Sequence, residues 1–424
     1  MTTFFDNDDI GKLSKLCALL TLAALFALLV GRFWWYGGTT SWAGAIRLPL
    51  LTVLLIAVVF WREALVFFKG NIYAVLVGAF LFYLAVNSIA LGEGKAARRV
   101  LLLGAFFVGM AFVIAYARVS QKKLMGVMVV TSAVVAVITI VTLSRQGVLN
   151  FAYRQGSISN SGISDFADFE NSILAGLQMG FSAVTALWLL FQARSLAFKL
   201  CWTLCVAITL AYIYLTYGRT AWLATVASSG IILLWMAERR WRIRMLVVGF
   251  VLGGVILFLF NERIAYEIFE RKLTYRDEIW TMVLELMPGH WIFGYGADAS
   301  VAELLGPRPL GGGEPILIAH AHSIYMEVLF NYGVVGLGFL LVVILASFWQ
   351  LHSRRDQPIA ILGLAVLFGG TLGMAFDFSS FVSTPNLLWL WFWLPVAWAL
   401  VLSGNGSGHG AAMINDHCSA RSAT

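Results

Sequence analysis

The chain has 424 residues, 60% of them hydrophobic and only 12% charged, with Lys+Arg 29 against Asp+Glu 22 and a net charge of +7. Soluble proteins are about half apolar and about one quarter charged, so this balance describes a membrane protein. It excludes a soluble enzyme, a nucleic-acid-binding module and a secreted disulfide scaffold, because the basic excess is the ordinary charge of cytoplasmic loops. Cys17, Cys201 and Cys205 lie in apolar runs and Cys418 in a polar tail, which is no disulfide framework.

The first apolar run, 13–30, follows Lys12 and Lys15 and ends in Gly31-Arg32-Phe33-Trp34-Trp35. It has no small-residue cleavage pattern and is expected to stay as a span rather than leave as a signal peptide. Further runs at 46–61, 72–91, 100–117, 124–143, 170–193, 198–217, 220–237, 245–260, 323–350, 358–377 and 385–403 bring the expectation to about twelve helices. Each is long enough to cross about 30 Å of hydrocarbon. The fold class is an all-α integral membrane protein. Helices 1–9 fill 1–260, a large, partly helical loop fills 261–321, helices 10–12 fill 322–403, and 404–424 is a disordered tail.

Loop charge sets the orientation. With the amino terminus inside, Arg62 and Lys69, then Arg118, Lys122 and Lys123, then Arg194 and Lys199, then Arg239, Arg240, Arg242 and Arg244, then Arg354 and Arg355 all fall in short cytoplasmic loops. The opposite loops have a several-fold lower basic density, so both termini are read as cytoplasmic. The segment 144–168, the apex between spans seven and eight and the loop 261–321 are then outside. Within that loop, Ile264, Ile268 and Phe269 share one face of a helix over 262–272 that would lie on the membrane surface. A second helix is expected from Thr274, capped by its hydroxyl with Asp277 three residues on, to Pro288-Gly289. The Gly- and Pro-rich stretch 294–313 reads as irregular.

Four residues on the outer side carry candidate chemistry. From 200 to 236 the only charge is Arg219, and the chain must cross and return within 37 residues, so Arg219 sits at the outer turn. It is either an Arg snorkelling to head groups or an anion site. Arg276 falls in the first turn of the second loop helix, where a guanidinium joins free N–H groups and the positive dipole end, an arrangement suited to phosphate. Asp277 and Glu278 offer it a plain surface ion pair instead. His322 closes the loop as span ten begins, where the helix dipole disfavours imidazolium and leaves a ring able to accept a proton. A hydrogen-bonded structural histidine is the other reading. If 322–336 is helical throughout, His322, Gly333 and Gly336 share one stripe. Asp377, at the outer end of span eleven, is a partner for one of the arginines or a simple interfacial acid. A metal on His320 and His322 with Glu314, Asp298 or His290 is disfavoured, since no carboxylate has fixed spacing to them and Asp6-Asn7-Asp8 lies on the other side. Two cations and one base on one face can clamp a diphosphate leaving group while the base deprotonates an attacking hydroxyl.

His322-Ser323, nine residues, then Gly333-Val334-Val335-Gly336 resembles the H-[N/S/Q]-x9-G-x-x-G signature of the O-antigen ligase and polymerase superfamily. Thr216-Tyr217-Gly218-Arg219-Thr220 at the end of a span, and Arg276-x3-Trp280 followed by Gly294-x-Gly296, extend the likeness. Ser323 stands where relatives often carry Asn. The resemblance implies a GT-C type glycosyltransferase of the bacterial inner membrane, metal-independent, inverting and without a cofactor, its active site facing the periplasm. It implies that Arg219 and Arg276 bind the diphosphate of an undecaprenyl-diphosphate-linked glycan donor and that His322 activates a lipid A-core hydroxyl, with Asp377 a weaker match to a substrate-binding acid. One outer loop of about 60 residues and another of about 25 favour the ligase over the polymerase branch. A polymerase of the same superfamily is the alternative, and a lipid-linked glycan transporter a more distant one.

Overall fold

A computed structural model describes residues 7–35, 38–59, 68, 70–116, 118–149, 156–159, 163, 166–169, 171–240, 242–244, 247, 251, 254, 275–311, 313–378 and 381–404. Ten helices among them are long and apolar enough to cross a membrane, and a shorter apolar helix covers Trp389–Gly404. The chain is therefore the expected all-helical, multi-pass membrane protein. The ninth expected span, 245–260, lies almost wholly outside the described residues. The surface helix at 262–272 and the tail after 404 lie entirely outside them.

Helices are forced by the solvent, because in hydrocarbon every backbone N–H and C=O must pair within its own segment. In chain order they are α1 Asn7–Phe26, prolonged to Trp34 by a π turn, α2 Gly38–Val59, α3 Ile72–Ala90, α4 Gly94–Tyr116, α5 Arg118–Arg145, α6 Ser172–Gln192, α7 Leu196–Thr216 and α8 Arg219–Met236. After the loop helices α9 Arg276–Leu286 and α10 Val301–Leu305 come α11 Ile324–Ser353, α12 Pro358–Phe376 and α13 Leu394–Gly404. Asn71 and Asn171 cap α3 and α6, each accepting two backbone N–H groups at the start of its helix. Trp389, Trp391, Trp393 and Trp398 are fully buried at the centre of the bundle.

Small residues let the helices behind the candidate site approach closely. Gly369 faces Ala224 and Ser228, while Gly373 faces Thr220, so α12 runs antiparallel to α8 and the end of α12 meets the start of α8. Gly176 and Gly180 receive Ala221 and Thr225 in the same way, which sets α6 parallel to α8.

The expected continuous stripe from His322 to Gly336 does not exist. Gly333 has φ 65 and ψ −169, which breaks α11 within the span. This conformation is essentially restricted to glycine. The freed backbone pairs with the loop: Val334 N donates to Trp291 O at 2.8 Å, Val335 N to Ile292 O at 3.4 Å, Tyr295 N to Phe330 O at 2.9 Å and Gly296 N to Asn331 O at 2.9 Å. Gly294, at φ 75, abuts the backbone of Asn331 and Tyr332, where any side chain would collide. The two glycine positions of the sequence pattern are thus two halves of one contact, a loop seated in a helix break.

The stretch 294–313 is more regular than expected, since α10 and a short antiparallel ladder, β1 Arg308–Pro309 with β2 Pro315–Ile316, lie within or beside it. The loop also has its own small core of Ile279, Val283, Met287, Val301, Ile318, Ala321, Leu329 and Phe330, separate from that of the bundle. Glu93, between α3 and α4, ties down its far side by accepting the N–H groups of Ala297 and Asp298 at 2.6 and 2.9 Å. Arg99 adds a 3.0 Å salt bridge to Asp298.

Candidate functional site

The site is assembled where α9, the segment before α11 and the end of α12 meet. α9 starts at Arg276, and its N-cap residue is Tyr275 in a left-handed conformation, φ 61, with no side-chain cap. The expected cap, Thr274, lies outside the described residues. Arg276 is in the first turn with Asp277 and Glu278. The Glu278 carboxylate accepts the Gly311 N–H at 2.9 Å and holds the far side of the loop.

One turn along, Trp280 Nε1 donates to the carbonyl of Ala321 at 2.9 Å. The same residue's N–H reaches Glu327 Oε2 at 3.3 Å, and Glu327 is buried in the first turn of α11. Both backbone groups of Ala321 are therefore fixed, and the next residue, His322, is held at φ 51. A left-handed histidine is uncommon and persists only where its surroundings determine it. Ser323 follows as the N-cap of α11, buried and without a side-chain cap bond.

The ring centroids of His320 and His322 lie 4.1 Å apart. Arg276 Nη2 is 3.9 Å from Asp377 Oδ2, and both side chains are mostly buried. That separation exceeds the roughly 2.7–2.9 Å of a direct charge-assisted bond, so the pair is loose. Burial strips water from the imidazolium of His322, and His320 and Arg276 disfavour a second positive charge beside it, so its pKa falls to about 4. His320 is also lowered, chiefly by burial, against the opposing pull of Asp377 and with a further push from Arg276. Both rings are neutral at neutral pH, and His322 has a lone pair to offer.

Four of the residues singled out in the sequence therefore meet: Arg276, His320, His322 and Asp377. Arg219 is the first residue of α8 and is exposed. Its neighbour Thr220 packs on Gly373, whose carbonyl accepts the Asp377 N–H at 3.0 Å, so Arg219 lies at the same end of the bundle. Its turn is rigid. Tyr217 is left-handed, Gly218 N donates to Thr216 Oγ1 at 3.2 Å, and Trp222 Nε1 donates back to Ile213 O at 3.0 Å. His290 stacks on Tyr295 and Asp298 is tied to Arg99. Among the described residues no three His, Cys, Asp or Glu side chains group to hold a metal ion.

Trp280 and Glu327 are the residues whose parts were not foreseen. Glu327 had a signal, an acid inside an otherwise apolar span one turn from His322. Trp280 stands one helical turn from Arg276, on the same face.

The molecule is thus a multi-pass helical membrane protein in which a neutral imidazole and a buried guanidinium are brought together at one end of the bundle. Residues 204–341 match the family model described as O-Antigen ligase. The match takes in Arg219, Arg276, His322 and the break at Gly333, and ends ahead of Asp377. An O-antigen ligase of Pseudomonas aeruginosa is 25% identical over 214 residues, covering 49% of this chain and 49% of that protein. The chain thus aligns with about half the length of the curated relative it matches.

Proposed function

We propose that the protein is a glycosyltransferase of the inner membrane that moves O-antigen polysaccharide from undecaprenyl diphosphate to a sugar hydroxyl of lipid A-core, on the periplasmic face. The observation that carries this is the geometry at His322: a neutral ring, its backbone fixed by Trp280 and Glu327 through Ala321, within electrostatic reach of Arg276. His322 removes the proton from the acceptor hydroxyl as its oxygen attacks the anomeric carbon of the donor. The bond from that carbon to the diphosphate oxygen breaks, undecaprenyl diphosphate leaves, and the configuration inverts. Arg276 and Arg219 meet the negative charge that grows on the leaving diphosphate. Asp377, loosely paired with Arg276, orients the guanidinium while no donor is bound. No metal or cofactor takes part in this scheme.

The test is to incubate purified protein with lipid-linked donor and lipid A-core in EDTA, without nucleotide. The joined product is expected. Lengthening of the donor-linked glycan when no lipid A-core is present identifies a polymerase, and vesicle uptake without any covalent transfer identifies a transporter. Either outcome overturns the reading, as does a requirement for divalent metal.

A further inference from the structure

The tip of the loop plays no part in the chemistry above, yet its backbone is hydrogen-bonded to two membrane-spanning helices. Trp291, Ile292 and Phe293 follow one another and are 43%, 57% and 61% exposed, and no charge lies between Pro288 and Ala297. Three consecutive large apolar side chains turned away from the protein call for an apolar partner. Their backbone shows where that partner is.

The carbonyls of Trp291 and Ile292 accept from Val334 and Val335, ten and eleven residues into the membrane-spanning α11. The carbonyl of Phe293 accepts from Asn87 Nδ2 at 2.9 Å. Asn87 lies on α3 three residues before its last residue, Ala90, which is about 5 Å below the helix end at 1.5 Å per residue. The residues beside these attachment points, Val86, Ile89 and Val334, are themselves exposed and apolar, as on the lipid-facing surface of a bundle. The tip therefore continues the exposed apolar surface of the spanning helices.

We propose that Trp291-Ile292-Phe293 is a membrane wedge that enters the leaflet at the site end of the bundle, its partner being the acyl chains of the bilayer. Counted along the helices, the tip lies about 5 Å from the end of α3 and about 15 Å from the start of α11, a range that takes in interfacial segments, where Trp is favoured because its ring is apolar and its N–H is wet. The wedge is joined rigidly to α9 through His290 N, which donates to Met287 O, and to α11 at Gly333. It fixes the height of Arg276 and Trp280 above the lipid. The inference does not depend on which sugar is transferred, or on whether any is.

The test uses the full chain with Cys17, Cys201, Cys205 and Cys418 replaced by alanine. Single spin labels are placed by Ile292→Cys, Phe293→Cys and, as a water-facing control, Glu314→Cys, in phosphatidylcholine/phosphatidylglycerol vesicles. The two wedge labels are expected to collide with oxygen more than with a nickel chelate, at a depth between about 5 and about 15 Å, and the control to show the reverse. Nickel accessibility at 292 and 293 equal to the control overturns the proposal, and so does shielding from both reagents, which means that protein covers the tip. A second measurement needs no cysteine. Lipid brominated high on the acyl chain is expected to quench native protein more than the Trp291→Phe variant, and equal quenching counts against the wedge.

Discussion

Replacing Gly333 by alanine tests the claim that the loop is seated in a helix break. At φ 65 and ψ −169 an L side chain costs about 1–3 kcal/mol, and the added Cβ would fall on the Ile292 carbonyl. The loop must move to admit it. That endangers the hydrogen bonds from Val334 and Val335, each worth about 0.5–1.5 kcal/mol net, the second less because it is long. The sum is a loss of about 2–5 kcal/mol, concentrated at the contact between α11 and the loop rather than spread over the bundle. Gly338 is the control, since it lies in the same helix and a methyl added there would meet nothing within 4 Å, so its alanine variant should be neutral or gain up to about 1 kcal/mol of helix propensity. Thermal unfolding in detergent, followed by size exclusion, gives the ranking, and protease protection of 290–313 reports the loop itself. A Gly333→Ala protein that matches wild type in midpoint and protection would show that the break is not required and refute the argument.

The other predictions concern the site. The acid limb of kcat/KM is expected near pH 4 rather than the ordinary 6.5 of histidine, because in the proposed mechanism the reacting form of His322 is the neutral one and its pKa is lowered to about 4. His320→Gln removes one of the causes of that lowering, so the limb should move up toward 6.5, as a pH profile would show. By the same sign, the part of the stability that rests on a neutral His322 is present above about pH 6.5 and lost as the pH falls toward 4, because the unfolded chain takes up the proton first. Trp280→Phe loses the hydrogen bond to Ala321 and with it about 0.5–1.5 kcal/mol of restraint on the His322 backbone, which should lower kcat up to about tenfold with little change in donor KM. Arg276→Lys keeps the charge and loses the planar fork, so donor KM should rise about 10–100-fold in initial-rate measurements, whereas kcat-only loss would remove the binding assignment.

The layout of spans was legible because hydrophobic length is a direct consequence of bilayer thickness, and the turn at Gly218-Arg219 followed from counting residues between charges. Arg276 and His322 were legible as chemistry-bearing types at helix starts, and the pattern around them pointed to the same positions. The error at Gly333 has a simple cause: a glycine inside a long apolar run satisfies a helical period as well as a break, and only the partner backbone at 291–296 decides between them. Glu93 gave no signal at all, since the N–H groups it accepts lie at 297 and 298 and nothing local announces them.

The central claim is that one neutral imidazole, His322, does the proton transfer at a site lined by Arg276. The most direct measurement is single-turnover transfer from lipid-linked donor to lipid A-core in EDTA, comparing wild type with His322→Ala at equal, folded protein concentration and saturating substrates. The account predicts product from wild type, donor still bound by the variant with near-normal affinity, and a chemical step slowed by at least about 100-fold. A His322→Ala protein that transfers at the wild-type rate would contradict it.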